Sequence, residues 1–279
     1  MSSDSTVTNR VRRRAYSTFL FPRAFARISF ADVAAVWLRN LEVYKRMWKM
    51  LFAAPLIEPV FSILAFGWGV GALIGSKVAG ISYLSFVGAG VLGFTVIMRA
   101  LFEMTYGAYF RMVYQSTYDA ILATPVEVES LAFAEIVWAV SKAAFDSIII
   151  LLVLFIFGAA TSPFALLVPL PLIAGSFFIG GLSLGVTSRV HDIDSFNLYM
   201  AIFFSSIFLC GAWFPVEVLP RTLRWLAWAI PLTSAVDLAR ALLTGNFLWR
   251  QVYESIYLIV AASVFTEWGM RSLRKRMVV

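Results

Sequence analysis

The residues best suited to chemistry in this chain are few. His191, the one histidine, stands with Asp192 and Asp194 in a short polar stretch that resembles a metal-ligand cluster on paper. One imidazole and two neighbouring carboxylates make a poor ligand set, so a polar connection or docking surface is the better reading. Glu135, Lys142 and Asp146 are seven and four residues apart, steps that return to nearly the same helix face. Lys142 and Asp146 are spaced to pair and to lower each other's desolvation cost. Such a stripe suits an interhelical lock or a conduit lining; a proton relay is disfavoured because no matching groups recur elsewhere. Arg99 and Glu103 form a similar i,i+4 pair, and Glu58 stands alone near the start of an apolar run. The five lysines, 45, 49, 77, 142 and 275, follow no nucleotide-binding glycine pattern. Neither a zinc-protease motif nor a serine elbow occurs, and Cys210 has no second cysteine to bond with. The chain is therefore read as non-enzymatic, with no directly bound cofactor or metal.

These groups must be positioned by a very apolar chain. Of its 279 residues 61% are hydrophobic and 14% charged, against roughly 45–50% and about 25% in globular domains. The mean hydropathy is +0.83. One soluble core could not hide this much apolar surface, because polar residues must still cover the outside. Basic ends with a net charge of +7 would suit nucleic acid, but the hydrophobic bulk between them would not, so no nucleic-acid partner is expected.

Six stretches satisfy the requirement of about 20 mostly apolar residues for a bilayer crossing: 51–73, 83–106, 131–157, 164–186, 196–214 and 252–270. The expected fold is thus an all-α integral membrane protein with six transmembrane helices. Residues 1–50 carry ten basic side chains and three acids, and 271–276 adds four basic side chains. Placing both termini in the cytoplasm puts 17 basic residues inside and five outside, in keeping with the positive-inside rule. No cleavable signal pattern follows Arg12–Arg14, since Arg23 and Arg27 interrupt the region. The organisation read from this is a basic cytoplasmic N-terminus at 1–50, a transmembrane domain at 51–270 and a basic cytoplasmic tail at 271–279.

Within the first segment, residues 25–48 place Phe25, Ile28, Val33, Val36, Trp37, Leu41, Tyr44 and Trp48 at helical spacing, with charges largely opposite. That pattern predicts an N-terminal amphipathic helix lying in the lipid interface. The external segment 215–251 is punctuated by Pro215, Pro220 and Pro231 and carries Trp225 and Trp228 in an apolar run. Two short re-entrant outer helices between the fifth and sixth crossings fit it best. Gly181 and Gly185, like Gly67, Gly71 and Gly75, have the spacing of close helix contacts.

The run from 102 to 135, with Tyr106-Gly107-Ala108-Tyr109, Arg111 and Thr117-Tyr118-Asp119-Ala120-Ile121-Leu122-Ala123-Thr124-Pro125, resembles the permease of ABC-2 type exporters. Within that family the chain is most similar to the nodulation-protein J group, whose relatives move lipo-oligosaccharides and other glycoconjugates. The resemblance implies a homodimer in the bacterial inner membrane, bound to two copies of a separate cytoplasmic ABC ATPase that carries the ATP and Mg2+. It implies an ATPase-coupling helix at about 115–125, which holds Thr117, Tyr118, Asp119, Ile121, Leu122, Thr124 and Pro125. A second contact would lie at Arg189, His191, Asp192 and Asp194. The segment 215–244, with Pro215, Pro220, Trp225, Trp228 and Pro231, would form the outer gate. Glu58, Glu135, Lys142 and Asp146 carry no role from the family and remain conduit or interhelical polar residues. The cargo implied is a glycan or amphiphile moved outward; nodulation itself does not follow. An ATPase-independent channel or secondary transporter, or a membrane-embedded lipid-processing enzyme, is the competing class.

Overall fold

The computed structural model describes residues 24–46, 57–74, 77–78 and 80–278. Arg10, Arg12–Arg14, Arg23, Lys49, Gly75 and the stretch 51–56 of the first expected span lie outside the described residues. The described chain is helical, apart from one two-residue ladder in which Lys77–Val78 pairs antiparallel with Ile81–Ser82.

A helix, α1 (Phe30–Lys45), opens the described chain after a short 3-10 turn at Ala24–Arg27. Ser29 caps it by accepting from the Asp32 amide at 3.4 Å. α2 (Ile57–Leu73) is a short apolar helix. α3 (Tyr83–Tyr114) is the central span: 83% of its most apolar window is buried inside the protein. Ser82 caps it, and π-helical turns interrupt it at Glu103–Gly107 and Phe110–Tyr114. The short α4 (Thr117–Leu122) follows, then α5 (Val128–Ile156), α6 (Pro163–Thr187) and α7 (Ile193–Leu209). α8 (Arg221–Ala229) and α9 (Pro231–Thr244) meet at an 86° bend, and α10 (Arg250–Met277) ends the fold.

The described residues do not hold the six expected spans. Among them three helices, α3, α5 and α6, are long and apolar enough to cross a membrane, and the bent α8–α9 pair makes a fourth if it counts as one span. Summing apolar residues overcounted because it ran through turns and polar faces. The expected span 196–214 ends as a helix at Leu209, and the chain turns at Gly211 with φ +73°. The expected span 252–270 lies in α10, which is long but carries Glu254, Glu267 and a run of basic residues. The N-terminal interfacial helix is also corrected. α1 is shorter than expected and docks on protein, burying Val33, Val36 and Asn40. Trp37 donates through Nε1 to Ser141 Oγ of α5 at 3.1 Å. The expected pair of re-entrant outer helices fails on burial. α9 buries ten of its residues among α3, α6 and α10, while α8 stays largely exposed.

The buried side chains form two clusters. One gathers Phe86, Leu92, Leu154, Leu172, Leu232 and Leu243 from α3, α5, α6 and α9. The other gathers Val36 of α1, Met104 of α3, Tyr118 of α4, Leu131 of α5, Phe196 of α7 and Leu273 of α10. The second cluster therefore brings α1, α4, the start of α7 and the close of α10 to one end of the molecule. α6 and α10 touch along their backbones. A Cβ at Gly269 would stand 2.4 Å from the Gly181 carbonyl oxygen, and one at Gly185 would enter the Trp268 ring. Gly269→Ala is expected to lower stability by about 1–3 kcal/mol through overpacking. Gly69→Ala, where nothing lies within 4 Å, should be near neutral. Thermal unfolding of the purified variants in detergent checks both.

Candidate functional site

The charged residues of the spans meet near the α4 end, where α3 passes α5. Arg111, on the last turns of α3, is the hub. Its Nη1 donates to Glu103 Oε1 at 2.8 Å, and its Nη2 stands 2.6 Å from Glu135 Oε2. Lys142 pairs with Glu103, and Trp138 Nε1 donates to Glu103 Oε1 at 3.1 Å. Asn40 of α1 donates through Nδ2 to Glu135 Oε1 at 3.0 Å and accepts from Arg39 at 3.0 Å. One step further along the spans, Arg99 pairs with Asp146. Glu135 and Asp146 are fully buried. Three carboxylates thus meet three cations, so the network is neutral, which is how charge survives in a low-dielectric interior.

The partners differ from those expected. Lys142 turns to Glu103 on the facing helix rather than to Asp146, and Asp146 takes Arg99, so neither i,i+4 pair forms. Glu58 sits apart, exposed on α2. Arg111 and Asn40 complete the network and were not among the candidate polar residues. Their signal was a charge and an amide recurring just beyond apolar faces.

α4 grows from this network. Ser116 takes φ +46°, a left-handed conformation unusual for a residue with a side chain, which turns the chain sharply out of α3. Tyr118 is completely buried beside Arg111 and Glu135, and Thr117 is buried with it. Burial first, and then the Glu135 carboxylate, holds the Tyr118 phenol well above its ordinary pKa, so it stays neutral. Ile121 and Leu122 pack half-buried against the second cluster. Asp119, Ala123, Thr124 and Pro125 remain exposed. The residues expected to act together therefore divide between an anchoring face and an outward face.

Arg189, His191, Asp192 and Asp194 lie on the turn between α6 and α7, all exposed. Tyr109 of α3 donates to the His191 carbonyl at 2.7 Å, which ties this turn to the same end as α4. Among the described residues no group of three or more His, Cys, Asp or Glu is placed to hold a metal ion.

At the opposite end, Pro215 precedes a 3-10 turn, Pro220 caps α8, and Pro231 is buried at the start of α9. Trp225 is 72% exposed, whereas Trp228 lies under the Arg250 guanidinium at 4.6 Å. Tyr257 of α10 donates to the Ala229 carbonyl at 2.6 Å. Arg250 also pairs with Asp237 and Glu254, each at 2.8 Å, an ion cluster that was not anticipated. Asp237 and Arg240, polar within an apolar run, were the available signal.

A core of membrane-length helices around a neutral charge network, with a short anchored helix on a bend between two spans, is the build of a multi-pass membrane protein. Residues 31–244 match the ABC-2 type transporter family. The chain is 33% identical to nodulation protein J of Sinorhizobium fredii over 208 residues, which cover 74% of this chain and 79% of that relative. It is 33% identical to nodulation protein J of Rhizobium leguminosarum bv. trifolii over 214 residues, covering 76% and 81%. With the Bradyrhizobium diazoefficiens protein of the same name the identity is 31%, covering 74% and 79%. The chain belongs to the ABC-2 type transporter family, as a membrane permease homologous to nodulation protein J export proteins. Permeases of this family typically form dimers and work with a nucleotide-binding ATPase.

The network makes a quantitative demand. Arg99→Ala leaves the Asp146 carboxylate buried and unpaired, and is expected to cost about 3–5 kcal/mol. Arg99→Met combined with Asp146→Leu should recover most of that loss. Detergent unfolding of Arg99→Met, Asp146→Leu and their double gives the coupling energy directly.

Proposed function

We propose that this chain is the membrane subunit of an ATP-driven exporter in the bacterial inner membrane, working as two copies with two copies of a separate cytoplasmic ATPase. The end carrying α4 faces the cytosol. Arg27, Arg39, Lys45, Arg46, Arg189 and the basic residues from Arg271 to Arg276 support this, because their elements all contribute to that end. The ATPase docks on the outward face of α4 at Asp119, on Thr124 and Pro125 in the turn just past it, and on the turn with Arg189, His191 and Asp192. ATP and Mg2+ stay on that partner. Pro215, Pro220, Trp225, Trp228 and Pro231 shape the outer mouth. The cargo is a lipo-oligosaccharide or related glycoconjugate, in keeping with the nodulation protein J relatives.

The observation that carries this reading is the division of α4 into two faces. Tyr118 is locked beside Arg111 of α3 and Glu135 of α5, while Asp119 and Pro125 are offered outward. A push on the exposed face is delivered to both flanking spans at once, because the anchor belongs to both. A helix held only by its own loop would absorb the push instead. Glu135, Lys142 and Asp146 serve on this reading as interhelical ties that keep the lever stiff.

Asp119→Arg, which leaves the buried face untouched, is expected to reduce permease-dependent ATPase stimulation by at least roughly tenfold, the equivalent of ~1.4 kcal/mol of docking. Membrane insertion should be unchanged. Deleting Ile121–Ala123 should abolish coupling altogether. Reconstituted vesicles holding both subunits provide the assay, with ATP hydrolysis and glycolipid export read in parallel. Normal export by either variant would remove the proposed foothold.

A further inference from the structure

Four cations crowd the last two turns of α10, and acids answer two of them. Arg271 pairs with Glu267, and Arg274 pairs with Glu129 of α5. Lys275 and Arg276 have no carboxylate partner among the described residues. Arg276 donates only to neutral carbonyls, those of Val190 and, at 3.2 Å, Thr187, and both bonds leave from Nη1.

Arg189, just past α6, is held in the same manner. Its Nη1 donates to the Gly185 carbonyl and to Ser272 Oγ, both at 2.7 Å, and its guanidinium covers the Trp268 ring at 4.4 Å. Neutral acceptors fix where these guanidinium groups sit without cancelling their charge. Nε and Nη2 of both arginines, and Nζ of Lys275, have no protein acceptor among the described residues. Together with Ser188, His191 and Ser272, the three cations line a cavity of about 440 Å3 with no carboxylate in its wall among the described residues. Three like charges gathered around one cavity raise its potential, and an anion seated there relieves their repulsion.

The surface leading away from the cavity indicates which anion. Val264 and Lys275 are eleven residues apart on α10, about three helical turns, and so share one face. Val264 is 56% exposed, with Val260 one turn beyond it at 54%. The cationic head of this stripe therefore continues into uncovered apolar helix, the order of chemistry found along a phospholipid. A soluble anion would need the head alone.

We propose that Arg189, Lys275 and Arg276 bind the headgroup phosphate of an anionic phospholipid, whose acyl chains lie along Val264 and Val260 of α10. The site sits at the junction of α6 and α10, which the Gly181–Gly269 backbone contact holds closed. It lies apart from the exposed face of α4 but shares Arg189 and His191 with the second proposed ATPase contact; lipid binding by the chain alone does not depend on that contact.

The test uses the purified full chain in phosphatidylcholine nanodiscs, titrated with phosphatidylglycerol and followed by native mass spectrometry. The wild type should retain phosphatidylglycerol in preference to phosphatidylcholine. Lys275→Gln, which breaks no protein contact, should weaken that retention roughly fivefold, the weight of one cation at an anionic surface. Arg271→Gln on the same helix should change little, because Glu267 already answers Arg271. Equal retention of both lipids by the wild type, or unaltered retention by Lys275→Gln, overturns the proposal. Competition by inorganic phosphate as strong as that by phosphatidylglycerol would assign the cavity to a soluble anion and overturn it too. Loss of ATPase co-purification in Lys275→Gln with lipid retention intact would assign it to an acidic protein surface, with the same consequence.

Discussion

Six charges between helices near one end of the molecule, two fully buried and four partly so, set the terms for everything around them. Glu103, Glu135 and Asp146 meet Arg99, Arg111 and Lys142 across α3 and α5, and α1 contributes Asn40 to the same network. No member can leave without stranding another away from water, so each helix is tied to its neighbour by the cost of an unpaired ion rather than by apolar contact alone. Apolar packing is weakly directional in a bilayer, where lipid tails offer much the same contacts as a leucine. A neutral ionic network supplies the missing register.

The consequence reaches the surface through Tyr118. A buried phenol beside Arg111 and Glu135 gives α4 a fixed base, and the left-handed turn at Ser116 sends it out from α3 at a defined angle. Behind it the second cluster draws in α1, the start of α7 and the end of α10, so the segments at this end form one packed body. The backbone contact at Gly181 and Gly269 extends that body from α6 to α10. On the proposed reading this is the lever of an exporter: force applied to the exposed face of α4 moves the two long spans that carry the network.

Much of this was legible from residue types and spacing. Pro125 and the polar residues before it mark α4, and Pro231 marks the break that becomes an 86° bend. Charges inside the apolar runs of α3 and α5 had to find partners, and they did, whereas Glu58 stays exposed on α2. Which partners was not legible, because i,i+4 arithmetic sees only one helix, whereas Lys142 and Asp146 answer groups on α3. The π-turns that shift the register of α3 leave no compositional trace. The number of membrane-length helices was overread for a related reason. Apolar residues in turns such as 210–214, and on the half-polar α10, add to a hydropathy sum without adding to a span. Asn40 shows the opposite error, since a helix read as facing lipid spends its inner face on protein.

On the proposed reading, α4 and α1 form one rigid body through Tyr118, Glu135 and Asn40. Spin labels at Ala123→Cys and Glu42→Cys, both exposed positions, in a chain with Cys210→Ser, report the distance between these helices by pulsed electron resonance. The account predicts one narrow distance distribution that stays unchanged when the partner ATPase turns over ATP, and that broadens when Glu135→Ala removes the shared carboxylate. A broad distribution in the otherwise native chain, or one that shifts during turnover, would contradict it.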